Sequence, residues 1–240
     1  TGKTISPDNS TFNNLTFSGS GGAWTFTDTT ATATSDIVIT GGAVTLPTTA
    51  LEIGGSFTNS SGSFVASTSV WSFTSTSTES ITAGGSDMPT LVFSDNGTWT
   101  FTDANATSTG DVSIGTGAAV TFPSTSLALG GSLTNNGTLT SAPSTNFTSD
   151  DISETILLNG SSLGSAIFLG NGSWVFSDTN ATSTGDLVVA SGSVTLPSGN
   201  LAIAGSLDNQ AGVSALNTNA GTITMNATTL GHSVDPGGAL

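Results

Sequence analysis

The sequence has no cysteine, no arginine and no tyrosine, and Lys3 and His232 are its only basic side chains. The absence of cysteine excludes disulfide bonds, thiol nucleophiles and cysteine-bound zinc. Sixteen acidic residues give a net charge of −15. Surfaces that bind nucleic acid or anionic lipid need Lys and Arg to neutralise phosphates, so neither partner is predicted.

Long hydrophobic runs are also absent from the sequence. A membrane-spanning helix needs about 20 consecutive apolar residues, and no segment approaches that length, so direct membrane insertion is not predicted. The chain starts at Thr1 without an initiator Met or a signal-like segment. We therefore expect a mature or excised portion of a longer protein.

Short groups of alternating apolar residues are abundant. Examples are AVTLP at 43–47, SLALGGSL at 126–133 and SWVF at 173–176. Such alternation is typical of half-buried strands, Thr favours strands, and the Gly and Asn between the groups favour turns. These patterns predict an ordered chain that is almost entirely β.

One phrase occurs three times at a constant interval along the chain. It reads WTFTDTTATATSD at 24–36, WTFTDANATSTGD at 99–111 and WVFSDTNATSTGD at 174–186. The flanking segments recur as well, as in LEIGGSFTN (51–59), LALGGSLTN (127–135) and LAIAGSLDN (201–209). We predict repeats at approximately 12–87, 88–162 and 163–240, with 1–11 belonging to the end of a preceding repeat phase. Gly2 and Pro7 then align with Gly231 and Pro236.

The repeat unit, at about 75 residues, is too long for a single structural layer. It divides into four pieces of roughly 15 to 21 residues, which is the length that one coil of a parallel β-solenoid requires. The predicted fold class is all-β: residues 1–240 form one continuous parallel β-solenoid (β-helix) of three ~75-residue repeats, each of about four coils. Twelve or thirteen coils would make a rod about 60 Å long. The alternative, three separate β-sandwiches, needs interdomain linkers that are not visible.

Six aspartates recur with the phrase and are the main candidates for chemistry. They are Asp28, Asp36, Asp103, Asp111, Asp178 and Asp186. Paired carboxylates could serve glycoside hydrolysis or bind calcium. A catalytic site is normally unique, however, and the calcium-binding solenoid motif GGxGxD is absent. We interpret these aspartates as turn residues that accept backbone N–H bonds, and as weak metal candidates only. No catalytic residue and no cofactor is predicted, and His232 has no second histidine or cysteine to complete a site.

Glycosylation sequons of the form N-x-S/T occur eleven times. Two pairs keep the same phase in their repeats, and these are the candidate glycan acceptors Asn96 and Asn171, and Asn105 and Asn180. The alternative is that asparagine supplies left-handed turn residues between strands. We also expect Asn59, Asn135 and Asn209, which end the recurring GGSFTN-like segments, to close turns.

The tryptophans and the threonine-rich runs each allow a binding hypothesis. Trp24, Trp99 and Trp174 could stack on sugars, but their W-x-F context places Trp and Phe on one face of a strand, which predicts core positions. Thr-x-Thr runs at 30–35 and 74–80 suggest ice binding. A regular threonine ladder needs such a run in nearly every coil, and these cluster in one or two coils per repeat, so this hypothesis ranks low.

The segments LTFSGSGGAWTFTD (15–28), GGSFTN (54–59) and GGSLTN (130–135) resemble secreted β-solenoid repeat proteins of bacterial surfaces. That group includes filamentous-haemagglutinin-like adhesins and autotransporter passengers, and the resemblance covers essentially the whole chain. It implies an extracellular or cell-surface, elongated protein that is not an enzyme. We predict a structural rod, surface fibre or head-to-tail filament whose partner is itself. The alternatives are an adhesin that binds glycans or other cell-surface material and, ranked lower, a carbohydrate-active enzyme.

Overall fold

A computed structural model describes residues 2–66 and 69–238, and within them all regular structure is β-strand. The predicted fold class is confirmed, since the strands stack in parallel sheets as a β-solenoid of about 11 turns. No helix long and apolar enough to cross a membrane occurs among the described residues.

The strands are short and follow one another at regular intervals. The first ten are β1 (Lys3–Ile5), β2 (Leu15–Phe17), β3 (Ala23–Phe26), β4 (Thr30–Ala33), β5 (Ile37–Ile39), β6 (Ala43–Thr45), β7 (Ala50–Ile53), β8 (Phe57–Asn59), β9 (Ser63–Val65) and β10 (Val70–Phe73). The next eleven are β11 (Thr78–Thr82), β12 (Thr90–Phe93), β13 (Thr98–Phe101), β14 (Asn105–Ser108), β15 (Val112–Ile114), β16 (Ala119–Thr121), β17 (Ser126–Leu129), β18 (Leu133–Asn135), β19 (Thr138–Thr140), β20 (Ser144–Phe147) and β21 (Glu154–Leu157). The last ten are β22 (Ser165–Phe168), β23 (Ser173–Phe176), β24 (Asn180–Ser183), β25 (Leu187–Val189), β26 (Ser193–Thr195), β27 (Asn200–Ile203), β28 (Leu207–Asn209), β29 (Leu216–Asn217), β30 (Thr222–Met225) and β31 (Val234–Asp235).

Each turn of the solenoid has three strand positions, one on each of three faces. A strand pairs with the strand that lies one turn further along the chain, as Ala23 pairs with Ala43 and Ala43 with Ser63. The second face is one ten-stranded sheet that runs from β4 to β29. The first face consists of a four-stranded sheet from β1 to β9 and a seven-stranded sheet from β14 to β31. The third face consists of a seven-stranded sheet from β2 to β19 and a three-stranded sheet from β24 to β30.

The first and third faces are each interrupted where a turn contributes only an isolated parallel bridge. Met88 bridges Ser108 on the first face, and Leu163 bridges Ser183 on the third. Because the chain visits the three faces in a fixed order, these bridges occupy the place of a strand in their turns. The two interruptions are one sequence repeat apart.

The period of the sequence is not a whole number of turns. From β3 to β13 the chain passes ten strands and the Met88 bridge, and eleven positions at three per turn make three and two-thirds turns. The three copies of the phrase therefore lie on three different faces, with β3 on the first, β13 on the third and β23 on the second. The total is about 11 turns rather than the twelve or thirteen expected, because each turn holds three strands instead of two apolar groups. The repeat boundaries at 12–87, 88–162 and 163–240 stay a prediction.

Alternation along each strand builds the core. In β7, Leu51 and Ile53 point inward and are buried, whereas Glu52 points outward. Side chains of neighbouring turns then stack in register along the axis, as Phe73 does on Phe93, with ring centroids 5.0 Å apart and planes at 11°. This axial stacking joins turns that cannot bury their apolar side alone.

The tryptophans of the phrase belong to this core. Trp99 and Trp174 are 0% exposed, and Trp24 is partly buried against the same core. Sugar stacking is therefore not available to Trp99 or Trp174. A fourth tryptophan, Trp71, is also fully buried and lies 4.7 Å from Phe57 between ring centroids.

Candidate functional site

The first aspartate of the phrase binds a turn in the preceding coil. Asp103 accepts the N–H bonds of Ala83 at 2.6 Å and Gly84 at 3.2 Å. In the next copy, Asp178 accepts those of Leu158 at 2.6 Å and Asn159 at 2.9 Å. Both carboxylate oxygens thus receive backbone donors from the turn that lies one coil earlier in the chain.

The turns that these aspartates bind have a backbone that few residues can adopt. Two consecutive residues have positive φ, namely Gly84 (62°) and Gly85 (81°), and again Asn159 (49°) and Gly160 (83°). Gly and Asn are the residues that accept this left-handed conformation at least cost. The divergent segments AGGS (83–86) and LNGS (158–161) therefore share one geometry although their letters differ.

An asparagine in the preceding coil also hydrogen-bonds the same segments. The Nδ2 group of Asn59 donates to the carbonyl of Ala83 at 2.9 Å, and that of Asn135 donates to Leu158 at 2.8 Å. The Oδ1 atom of Asn59 also accepts the N–H of Gly62 at 3.1 Å, which closes its own turn. We call this arrangement the turn clamp: an asparagine from the preceding coil and an aspartate from the following coil grip one left-handed turn.

The first turn of the chain shows how the clamp tolerates proline. Asp8 and Asn9 have φ values of 49° and 63° and correspond to Gly84 and Gly85. Pro7 precedes them and has no N–H to donate. Asp28 instead accepts the N–H of Asp8 at 2.8 Å and the hydroxyl of Ser6 at 2.9 Å. A serine hydroxyl replaces the backbone donor that proline removes.

The second aspartate of the phrase binds in the opposite direction, to the following coil. The Oδ1 atoms of Asp36, Asp111 and Asp186 accept the N–H bonds of Ser56 at 2.9 Å, Ser132 at 2.8 Å and Ser206 at 2.6 Å, respectively. The two carboxylates of one phrase are therefore directed at opposite neighbouring turns. This divergence does not favour the joint attack on one substrate that a hydrolase requires.

Two of these serines continue the contact to a third turn. Ser56 donates its hydroxyl to Glu79 at 2.7 Å, and Glu79 accepts a second bond from Ser75 at 2.7 Å. In the next copy, Glu154 accepts bonds from Ser132 at 2.5 Å and Ser149 at 3.0 Å. We call this Asp–Ser–Glu chain the carboxylate ladder. It ties three consecutive turns together at one corner.

The carboxylate ladder explains the second glycine of the GGS segments. A Cβ atom on Gly131 would collide with Oδ1 of Asp111, and one on Gly55 would collide with Oδ1 of Asp36. The aspartate thus occupies the space of any side chain at this position. Glycine is needed here for close approach, not for an unusual φ.

Lys3 and His232 occupy the positions that glutamate occupies in the inner turns. Glu79 pairs in register with Trp99, Glu154 with Trp174, and Lys3 with Trp24. His232 precedes Ser233 as Glu79 precedes Ser80, and its Nε2 atom lies 2.8 Å from the hydroxyl of Thr229. The carboxylate ladder is therefore a feature of the inner turns.

No group of three or more His, Cys, Asp or Glu side chains that could hold a metal ion occurs in residues 2–66 and 69–238. The six recurring aspartates instead meet N–H donors and one serine hydroxyl. That these aspartates are weak candidates for metal binding stays a prediction. The residues to which these aspartates connect were not identified from the sequence. They are chiefly Ser56, Ser132, Glu79 and Glu154. Their spacing of about one coil indicates the contact once the coil length is known.

The four candidate glycan acceptors are all exposed and lie at corners or strand starts. Asn105 accepts a hydroxyl bond from Ser126 at 2.7 Å. Asn171 donates from Nδ2 to Asp150 at 3.1 Å, and Asn180 accepts the N–H of Asn200 at 2.9 Å. Asn96 lies beside Gly117, where an added Cβ would meet its Oδ1 atom. Glycosylation of Asn96, Asn105, Asn171 and Asn180 stays a prediction.

Open grooves lie beside the two interruptions of the sheets. One of about 400 Å³ is bordered by Phe64, Val65 and Met88. The other, of about 350 Å³, is bordered by Leu139, Thr140 and Leu163, which occupy the equivalent places one repeat later.

Comparison with known proteins yields no relative, since no protein-family model, no curated protein and no solved structure matches this chain. Its own residues are therefore the evidence for its function.

Proposed function

We propose that this chain is a structural element of an extracellular or cell-surface rod, whose function is its length and stiffness. The supporting observation is that the recurring residues of the phrase connect neighbouring turns of the solenoid. Trp99 fills the core, Asp103 clamps the preceding coil and Asp111 binds the following coil. A repeated catalytic or binding residue would instead be free to meet a ligand.

Physical considerations agree with this role. About 11 turns at a spacing of about 4.8 Å make a rod roughly 50 Å long, with continuous ladders of backbone hydrogen bonds along it. A net charge of −15 keeps such rods apart laterally. Neighbouring turns contribute most of the stability of such a stack, so it can be lengthened without redesign of its core.

The proposed partner of the rod is a further copy of itself, joined head to tail. β1 and β31 both belong to the first face, so the same phase recurs at both of these outer strands. Outer strands present unpaired N–H and C=O groups that template pairing with another strand. Val213 and Val234, which are 69% and 56% exposed, add apolar surface in the last turns.

Electron microscopy and small-angle X-ray scattering of the purified chain test this proposal. We expect rods of the length of one chain at low concentration and end-to-end multiples of that length as the concentration rises. Globular particles would contradict the rod, and rods of one fixed length at all concentrations would contradict head-to-tail joining.

A second candidate function is glycan binding, which the two equivalent grooves favour. They lie one repeat apart on different faces, so one rod would present two sites of similar shape. A glycan array probed with the chain tests this role. We expect Val65→Trp and Thr140→Trp together to abolish any signal by filling both grooves, whereas Val175→Trp on the second face should leave it intact. An array without signal for the unmodified chain contradicts glycan binding.

A further inference from the structure

A regular array of hydroxyl groups covers part of the third face. Four consecutive strands, β11, β13, β16 and β19, are paired in register. One column of outward positions holds Thr78, Thr98, Ala119 and Thr138, and the next holds Ser80, Thr100, Thr121 and Thr140. Seven of these eight positions carry a hydroxyl group. We call this surface the hydroxyl face.

The hydroxyl face owes its order to the core beneath it. Between the two columns, Trp99, Val120 and Leu139 point inward and are buried. The outward threonines are therefore spaced by the backbone at about 4.8 Å across the strands and roughly 6.6 Å along them. Threonine is also stiff at χ1, so little side-chain freedom is left to lose when the face binds a partner.

The solenoid phase brings these threonines together. The runs TES, TWT, AVT and TLT are separated by about one coil each, so they fall on consecutive turns of one face. On the second face the position of Thr100 is held by Val175. On the first face Thr25 is in register with Thr4 and Thr45, but the neighbouring outward column holds Ala23, Ala43 and Ser63, so hydroxyl groups do not fill two adjacent columns there. Register between coils is invisible in the linear sequence, which is why the threonine runs look scattered there.

The hydroxyl face is uncharged in a strongly acidic protein. Glu79 is the one acidic residue in its four strands, and its carboxylate is turned to Ser56 and Ser75. At one margin, Thr82 and Thr102 hydrogen-bond each other at 2.6 Å. A charge-free face is complementary to a neutral partner that offers hydrogen bonds at regular spacing in two dimensions.

The positions of the aromatic residues distinguish between two neutral partners of that kind, a flat sugar chain and ordered water. Flat sugar chains are usually held by exposed aromatic rings, but no aromatic side chain is among the exposed large hydrophobic residues of the described part of the chain. Trp99, which lies under the hydroxyl face, is fully buried. Methyl and hydroxyl groups at fixed spacing suit ordered water instead.

We propose that the hydroxyl face binds ice. The threonine hydroxyls would hydrogen-bond a regular array of water molecules while their methyl groups exclude disordered water. The face covers only four strands, so we expect adsorption to growing ice and slower recrystallisation rather than a strong depression of the freezing point. This activity is independent of the rod proposal, because it needs one chain and one face.

Three threonines in nearly identical sequence allow a matched test. Thr45, Thr121 and Thr195 occupy the same place in AVTLP, AVTFP and SVTLP. They lie in β6, β16 and β26, on the first, third and second faces, respectively. Only Thr121 belongs to the hydroxyl face. Lysine at each position adds the same bulk and charge to an outward site of a three-residue strand.

Slow growth of ice from a solution of the labelled full chain measures the binding, with serum albumin as a standard that growing ice excludes. All variants carry a fluorophore at an introduced Gly2→Cys, because the chain has no other cysteine and nothing lies within 4 Å of that position. We expect the otherwise unmodified chain, Thr45→Lys and Thr195→Lys to enter the ice at least fivefold more than the standard. Thr121→Lys should fall to the level of the standard.

Circular dichroism on each variant confirms that it is folded before the ice is grown. Exclusion of the unmodified chain from ice would overturn the proposal, as would equal incorporation of Thr121→Lys and Thr45→Lys. A parallel assay with crystalline cellulose and chitin tests whether the hydroxyl face binds a periodic polysaccharide surface instead of ice. Retention on these polysaccharides that is lost in Thr121→Lys, without incorporation into ice, would assign the face to sugars and overturn the proposal.

Discussion

The same phrase is more exposed in the first turns than further along the solenoid. Trp24, Trp99 and Trp174 each contact a phenylalanine, with ring centroids 5.4, 5.4 and 5.2 Å apart. Trp99 and Trp174 also contact a second phenylalanine, Phe73 at 6.5 Å and Phe147 at 6.2 Å, that lies one turn further back. Both are fully buried, whereas Trp24 is only partly buried.

The phrase by itself therefore does not bury its tryptophan. Its aromatic partner is carried with the repeat, but full burial also needs the phenylalanine from one turn further back, as Phe73 supplies it to Trp99. Asp28 shows the same effect, since its two partners are exposed, whereas Asp103 receives two N–H bonds from a turn that Asn59 also holds. Stability should therefore rise from the first turns towards the middle.

The largest expected effect comes from removal of a tryptophan. Trp99→Ala should lower the free energy of unfolding by about 3–5 kcal/mol, because it leaves a large cavity in a closed core. Trp24→Ala should cost clearly less and should fray only the first turns. Chemical denaturation measures the first effect, and hydrogen exchange localises the second. Equal losses at the two positions would contradict the comparison.

A smaller effect is expected where glycine admits a carboxylate. Gly131→Ala places a Cβ against Oδ1 of Asp111 and 2.8 Å from its backbone N. Overpacking of this kind should cost roughly 1–3 kcal/mol. Gly2→Ala, where nothing lies within 4 Å, is the control and should be neutral. Thermal unfolding of the two variants measures this difference in stability. A Gly131→Ala variant as stable as the unmodified chain would show that the corner of the coil shifts to accommodate the Cβ atom.

The turn clamp should give the smallest of these differences. Asp103→Ala removes the acceptor of two backbone N–H bonds and should cost about 1–2 kcal/mol, because charged acceptors form stronger bonds than neutral ones. Asp103→Asn keeps one acceptor and should cost less. Asp28→Ala, in the first turn, should have the weakest effect of the three. Urea denaturation ranks them, and a reversed order would contradict the role of the clamp.

Much of the fold was predictable because it depends on local patterns. Alternation such as Leu51–Ile53 predicts strands, and the constant repeat period predicts a stack. The number of strands per turn was not predictable, because a corner of the solenoid and a hairpin turn use the same Gly, Asn and Ser residues. As a result the coil count was too high.

The candidate site was predictable in kind but not in its partners. That the recurring aspartates meet backbone N–H groups follows from the residue type. Which turn Asp103 and Asp111 reach depends on the register between coils, and so does the contact of Glu79 with Ser56. The hydroxyl face of Thr100 and Thr121 depends on register in the same way.

The register between parallel, three-stranded turns underlies the rod, the turn clamp and the hydroxyl face alike. Disulfide formation between introduced cysteines tests it most directly, since the chain has no cysteine of its own. Thr100 and Thr121 are paired in register on the third face, whereas Thr107 lies on the first face. We predict that Thr100→Cys with Thr121→Cys forms an intramolecular disulfide under mild oxidation and that Thr107→Cys with Thr121→Cys does not, although this second pair is closer in sequence. Cross-linking of the second pair in preference to the first would contradict the three-stranded turn.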